Sequence, residues 1–199
     1  YRIHEVKLLP LSDGAFQVKT NANTNQIDLE AANNNSSTGT FKDLRDGRTY
    51  KTVKIGNQIW MAENLNVNIE GSYNFNGETQ NGEKYGKLYT YESSLKACPA
   101  CWHLPSASEW ETLIKALGGE EVAGKALAEG GQSGFNARFG GYSNGASFWF
   151  LGTFVGFWSS TTYDDQHAWY FFITKDKPMI TKSYFNKNYL FSVRCVKNQ

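Results

Sequence analysis

Three cysteines and three histidines are the residues of this chain best suited to chemistry. Cys98-Pro99-Ala100-Cys101 stands just before a helix-like segment, where a thioredoxin-like redox pair would sit. No strand–helix–strand alternation surrounds it, and antiparallel β-signals follow it instead. A zinc site needs further ligands, and only Cys195, His4, His103 and His167 remain. A third reading joins Cys98 or Cys101 to Cys195. That bridge would close a loop of about 95 residues, contribute roughly 4–5 kcal/mol through loop entropy, and imply an oxidising compartment. One thiol is left over.

The histidines suggest little catalysis. His103 lies between Trp102 and Leu104 and reads as a hydrogen-bonded structural residue rather than a base. His167 follows Asp164-Asp165, which makes either an acid–base cluster or a charged turn before a strand. There is no Gly-x-Ser-x-Gly elbow, no phosphate-cradling glycine loop and no His-Glu-x-x-His. The chain is therefore expected not to be an enzyme and to need no cofactor. Asp164-Asp165 and an Asn-rich loop offer oxygen ligands without EF-hand spacing, so no metal is assigned and calcium stays an open question.

The elements that must position these residues belong to a β-rich protein. Aromatic residues make up 15% of the chain, and 19 of its 199 residues are Gly. With 40% hydrophobic residues it can bury a core, and mean hydropathy is −0.52. No apolar run approaches the roughly 18 residues a spanning helix needs. The net charge of +1 supplies no basic stripe, so nucleic acid is not an expected partner. The first residue is Tyr1 rather than Met, which suggests a processed or trimmed N-terminus.

Two zones differ in texture. Residues 1–38 hold β-like runs at Ile3–Leu11 and Ala15–Thr20 with Ser12-Asp13-Gly14 as a turn signal between them, then a polar stretch Asn21–Asn25 and the run Gln26–Ala32. Asn33 to Gly39 has nothing to bury and reads as a linker. This zone is either a terminal hairpin or the tail of a preceding domain. Residues 39–199 read as one domain. Thr49–Ile55 alternates as a strand, Gly56-Asn57 turns, and Gln58–Ala62 returns. Asn64–Gly86, with six Asn and four Gly, reads as a long surface loop. Ser106 or Ser108 can cap a helix through Leu117, Ser106 with Glu109 giving a capping box, Gly118-Gly119 ends it, and Glu120–Ala128 is a second short helix. Strand-like runs follow at Phe154–Ser160, His167–Thr174, Met179–Phe185 and Leu190–Val196. Strands, then helices, then strands give an α+β class with antiparallel sheets.

Several blocks resemble a known family. Asp46-Gly47-Arg48-Thr49-Tyr50, then Ile55-Gly56-Asn57-Gln58-Ile59-Trp60-Met61-Ala62-Glu63-Asn64-Leu65, resemble the opening of the Fibrobacter succinogenes major paralogous domain. So do Cys98-Pro99, Trp102-His103-Leu104-Pro105-Ser106 and Glu109-Trp110. Ser133-Gly134-Phe135, Gly140-Gly141, Phe157-Trp158-Ser159-Ser160-Thr161, Ala168-Trp169-Tyr170 and Ser192-Val193-Arg194-Cys195-Val196 are similar to its later blocks. The resemblance runs over about 42–197, in family order, and leaves residues 1–38 uncovered. It implies a C-type-lectin-like domain with two helices and long irregular loops, whose chain ends pair. It further implies a surface or secreted protein of Bacteroidetes- or Fibrobacteres-type bacteria, often a lipoprotein with its anchor upstream. The family usually has Gly where this chain has Cys101, which implies a Cys98–Cys195 disulfide and leaves Cys101 as the odd thiol. The formylglycine-generating relatives need active-site cysteines in their own late motif, whereas Cys195 sits in a closing strand, so that activity is not carried over. The calcium-binding lectins' Glu-Pro-Asn or Gln-Pro-Asp triplets are absent.

Trp60, Trp102, Trp110, Trp158 and Trp169 fall in family blocks and read as core. Trp149 lies in the Gly-rich aromatic run Phe148-Trp149-Phe150 and reads as either a surface anchor or a lid on the core. The expected ligand surface is on the loops. It takes in Tyr73, Phe75 and Asn76; Tyr142, Asn144 and Trp149; Tyr163, Asp164 and Asp165; and Asn186 and Asn188. Aromatic faces desolvate the apolar side of a sugar or side chain, while Asn and Asp supply directional hydrogen bonds. The competing reading is that Asn and Gly are there for turn geometry alone. The expected function is a non-catalytic cell-surface or secreted module for glycan binding or adhesion, located outside the cell or on the outer-membrane surface. Its partner is a glycan or polysaccharide. The alternative is a structural subunit of a surface assembly that contacts another protein through aromatic loops.

Overall fold

The computed structural model describes residues 8–10, 16–18, 37–177 and 179–199. The chain divides into two units, Tyr1–Asn33 and Asn34–Gln199. In the first, β1 (Leu8–Pro10) and β2 (Phe16–Val18) pair antiparallel with Leu8 opposite Val18. His4, the turn signal at 12–14, the stretches 21–25 and 26–32, and linker residues 33–36 lie outside the described residues.

The second unit begins with β3 (Thr38–Lys42), β4 (Thr49–Ile55) and β5 (Gln58–Met61). Then come β6 (Ser72–Tyr73), a 3-10 turn at Phe75–Gly77, α1 (Thr79–Tyr85), β7 (Leu88–Thr90) and α2 (Tyr91–Ala97). After β8 (Trp102–His103), the helices α3 (Ala107–Ala116) and α4 (Glu120–Leu127) lead to β9 (Tyr142–Ser143) and β10 (Phe148–Trp149). The chain closes with β11 (Phe154–Thr162), β12 (His167–Thr174), β13 (Ile180–Asn186), β14 (Leu190–Ser192) and β15 (Val196–Lys197).

Two sheets result. The smaller runs β3-β4-β5-β15-β8, so the domain's last strand lies beside its opening hairpin. The larger runs β10-β9-β14-β11-β12-β13, with β7 on β14 and β6 on β7. Its pairings are antiparallel except β11 with β14, where Phe157 lies opposite Ser192. The fold is mixed α+β with antiparallel sheets, as the element order predicted.

Two large core clusters hold the layers, with a small third one at Phe75, Leu88 and Leu190. Trp110 of α3 stacks on Phe157 and Phe171 at 5.4 and 5.3 Å between ring centroids and meets Trp60 of β5 at 4.8 Å. A second cluster joins Tyr50, Leu65, Tyr89, Trp158, Phe191 and Val193. Between the sheets Arg194 is fully buried. Its guanidinium donates to the carbonyls of Met61, Phe135 and Asn136 and to Asn64 Oδ1, and it lies 4.1 Å from the Phe135 ring centroid. Burial pushes its pKa down. Its two terminal nitrogens make four hydrogen bonds, to the end of β5 with Asn64 just beyond it and to Phe135-Asn136, while Nε has no partner among the described residues.

Several expectations need correction. Among the described residues the domain has four α-helices, not two, because α1 and α2 fall in segments whose apolar spacing is too short to show a period. Asn64–Gly86 is not a surface loop throughout: Asn64, Leu65, Val67 and Phe75 are buried. Asn64 Nδ2 bridges the carbonyls of Tyr85 and Arg138, so a polar residue serves here as an interior tie. The expected linker ends early, since Thr38 and Gly39 already pair with Val53 and Thr52. Leu190–Val196 is two short strands separated at Val193-Arg194-Cys195, where the chain passes from one sheet to the other. Trp169 is half-buried at the margin of the core.

Candidate functional site

Period-two alternation along β11 to β13 decides which side chains share a face. In register, Gly156, Phe172 and Thr181 form one row, Trp158, Tyr170 and Ser183 the next, and Ala168 and Phe185 another. These rows point away from α3, whose Trp110 covers Phe157 and Phe171 on the other side. A Cβ at Gly156 would lie 2.7 Å from Phe191 Cδ1 and 3.1 Å from Phe154 Cε1, so only Gly lets those rings lie flat on the strand.

Part of this face is roofed. Tyr91 of α2 meets Trp158 edge-on at 5.4 Å, and Leu65 and Val67 pack in the same cluster. The remainder is open. Tyr142, Trp149, Phe154, Phe172, Phe185 and Tyr189 are half-buried there, and Phe150 is 59% exposed. The rings are contiguous. Tyr142 lies 5.3 Å from Trp149, 5.8 Å from Phe150, 5.4 Å from Phe154 and 6.3 Å from Tyr189. Phe154 stacks on Phe172 at 5.6 Å, and Phe185 meets Tyr189 edge-on at 4.5 Å. Phe150 is held outward on a left-handed backbone, φ 61°, which is costly for a bulky residue. Burial, and then neighbouring Tyr189, raises the Tyr142 pKa, and burial pushes Tyr170 up to about 12. Both hydroxyls therefore stay protonated and able to donate.

A second aromatic group occupies the helix side of the β12–β13 hairpin. Tyr163 and Tyr184 stack at 4.0 Å with a 4° interplanar angle, and Trp169 stands edge-on to both. Lys182 Nζ lies 4.3 Å from the Trp169 ring centroid and 2.7 Å from Glu111 Oε1.

The polar residues expected to reach a ligand are largely engaged in turns. Asp164 Oδ1 accepts from the amides of Gln166 and His167 at 2.8 and 2.7 Å and faces His167 Nδ1 at 2.8 Å. Desolvation raises the Asp164 pKa, but these hydrogen bonds, the His167 side chain first, outweigh it and hold the carboxyl low. Asn144 Oδ1 accepts from Ala146 and Ser147, and Asn186 Oδ1 from Asn188. Lys187 Nζ donates to the carbonyls of Asp164 and Asp165, pinning that hairpin end to the β13–β14 turn.

The expected surface thus falls into three places. Tyr142 and Trp149 meet on the open aromatic face, and Asn188 adjoins it through Tyr189. Tyr163, Asp164 and Asp165 gather with Asn186 at the hairpin end. Tyr73 is exposed on β6, and Asn76 lies in the 3-10 turn, while Phe75 is 6% exposed and packs on Phe148 at 5.1 Å. Phe75 is a buried support rather than a contact residue. The sequence reading missed Phe150, Phe154, Phe172, Phe185 and Tyr189. The available signal was the same-face spacing of aromatics along 154–158 and 170–172, which only the sheet register makes meaningful.

The cysteine question has a definite answer. Cys98 is bonded to Cys195 with a Cα–Cα distance of 5.8 Å, and Cys101 is free and exposed. His103 bridges Asn198 Oδ1 at 2.6 Å and Glu109 Oε1 at 2.7 Å, a structural position. Among the described residues no three His, Cys, Asp or Glu side chains converge. A polar cavity of about 30 Å³ beside Gly82 is bordered by Asn66 Oδ1 and Arg138 Nε, neither of which has a protein partner. It has room for one ordered water. No helix among the described residues is long and apolar enough to cross a membrane.

The profile of the Fibrobacter succinogenes major domain matches residues 53–197. No curated protein and no solved structure matches the chain.

Proposed function

The chain belongs to the Fibrobacter succinogenes major domain family, and from that premise we propose that its domain is a non-catalytic binding module that takes a carbohydrate chain on the open aromatic face. The observation that carries this reading is the contiguous set of half-buried rings from Trp149 and Tyr142 through Phe154 and Phe172 to Phe185 and Tyr189. Rings already held by their neighbours lose little entropy when a ligand lands on them. Their faces suit the C–H surface of a pyranose, and the Tyr142 and Tyr189 hydroxyls with the exposed Asn188 supply directional bonds at the rim. A broad open face favours a polysaccharide over a monosaccharide. The C-type-lectin-like placement and an extracellular or outer-membrane-surface location go with this reading, since the disulfide needs an oxidising compartment.

One observation favours a protein partner instead. Phe150 is the most exposed ring of the face and has no hydrogen-bonding group. Such a side chain is better suited to an apolar pocket on another protein than to a hydrated sugar.

Trp149→Ala tests the surface, and insoluble-polysaccharide pull-down with a glycan array tests the ligand class. Under the carbohydrate reading the wild-type chain is retained by a polysaccharide, and Trp149→Ala weakens retention by roughly 2 kcal/mol while the melting temperature hardly moves. If no glycan is bound and a surface protein is captured through Phe150, the protein-contact reading replaces it. If Trp149→Ala unfolds the domain, Trp149 is a core lid and the surface is misdrawn.

A further inference from the structure

The outer edge of β13 is unpaired among the described residues, since β12 is its one sheet neighbour. The register shows which of its backbone groups are free. Lys187 N donates to Gln166 O at 2.9 Å, and that pair continues the β12–β13 ladder, where His167 faces Asn186. Hydrogen-bonded pairs recur every second residue in an antiparallel ladder. Thr181, Ser183 and Phe185 therefore bond inward to β12, and Lys182 and Tyr184 turn their N–H and C=O groups outward.

Natural edge strands are normally blunted by Pro, a bulge or a charge. β13 reads Ile-Thr-Lys-Ser-Tyr-Phe-Asn, with neither Pro nor a register shift. Its single charge, Lys182, is folded back over Trp169 and paired with Glu111. α4 abuts the start of β13, where Gly124 packs on Met179 and Ile180, and from Thr181 onward the edge is left open to another strand.

We propose that this edge pairs with the same edge of a second copy, antiparallel about a two-fold axis at Ser183. Side-chain pairing across the edge favours that register. Centred on Ser183, Lys182 and Tyr184 of one copy exchange both backbone hydrogen bonds with Tyr184 and Lys182 of the other. Each Lys182 then lies opposite a Tyr184 while its ammonium stays on Glu111, and each Thr181 faces a Phe185, a pairing of β-branched with aromatic side chains that sheets favour. Centring on Lys182 would set two ammonium groups directly opposite each other, which is destabilising. The two-fold axis stands normal to the sheet, so both aromatic faces look the same way and a polymeric ligand can engage both at once. The pairing does not depend on what the aromatic face binds.

Cysteine cross-linking of the full chain, with Cys101→Ser as background, tests the register. Directly opposed non-hydrogen-bonded residues stand about 4.5 Å apart at Cα, within disulfide reach. Ser183→Cys should give a covalent dimer under mild oxidation, and Lys182→Cys and Tyr184→Cys should not, since each faces the other residue type. Sedimentation of the wild-type chain should show twice the monomer mass. Tyr184→Pro, which removes an outward N–H and leaves the inward ladder intact, should restore the monomer mass with the far-ultraviolet dichroism unchanged. A wild-type chain that is monomeric at every concentration overturns the proposal. So does a dimer that Ser183→Cys fails to link, or linking that is equal at all three positions.

Discussion

Arg194 is a fully buried charged residue that ties distant chain segments together. Its guanidinium, fully buried, holds three carbonyls and Asn64 Oδ1, and no carboxylate is among its hydrogen-bond partners. Arg194→Met keeps the volume and removes every donor, leaving buried acceptors unsatisfied at about 1–3 kcal/mol each. A loss of about 3 kcal/mol or more is expected in urea unfolding. Arg194→Lys should not rescue it, because one ammonium cannot span acceptors spread over two separate chain segments, 61–64 and 135–136. A loss under about 1 kcal/mol would mean the loops hold their shape without it. The sequence marked Arg194 only as part of a closing block; its buried contacts come from residues 59 and 133 positions away.

At the scale of elements, α3 shows how a local signal becomes a tertiary joint. Ser106 Oγ accepts from the Glu109 amide at 3.3 Å, and Glu109 Oε2 accepts from the Ser106 amide at 2.8 Å. The other carboxylate oxygen faces His103 of β8, which ties the helix start to the smaller sheet. Desolvation pushes the Glu109 pKa up, but hydrogen bonds from Ser106 and His103 outweigh it and hold the carboxyl below its ordinary value. A group depressed in the folded state binds its proton more readily in the unfolded chain. Its stabilisation is therefore complete above the unfolded value, about 4.3, and is lost as pH falls through the folded one. Glu109→Ala should cost about 1 kcal/mol at neutral pH, and the gap from wild type should close on acidification. A gap that persists in acid, followed by thermal melts, would show that packing rather than charge holds the helix start. The capping box was legible in the sequence, because Ser-x-x-Glu acts within one turn. The His103 contact was not, because it depends on where β8 lies.

At the scale of the whole molecule, the disulfide and the sheet order fix the domain together. Cys98 follows α2 and Cys195 precedes β15, a sequence separation of 97. Closing so long a loop removes unfolded-chain entropy worth roughly 4–5 kcal/mol. The double variant Cys98→Ala with Cys195→Ala should lose an amount of that order, and reduction of the wild-type chain should match it in denaturant titration. If both leave the midpoint unchanged, β8–β15 pairing and the core carry the closure alone. The same scale governs the aromatic face. Tyr142, Phe154, Phe172, Phe185 and Tyr189 come from five different strands or turns, and none is a site by itself.

The sequence alone determined whatever depends on neighbours within a few residues. The β4–β5 hairpin follows from alternation on either side of Gly56-Asn57, the α3 boundaries from Ser106, Glu109 and the Gly pair, and β12 from its unbroken apolar run. The α+β class follows from the order of those elements. The tertiary structure alone decided what depends on register and on distant partners. It put Phe172 beside Phe154 and turned Phe75 inward. It engaged Asn144, Asp164 and Asn186 in turns, where a short side chain meets its own backbone before any ligand. It also left the β13 edge open. The physical reason is the two-residue period of a strand: a shift of one residue moves every side chain to the opposite face, and only pairing with the rest of the chain sets that shift.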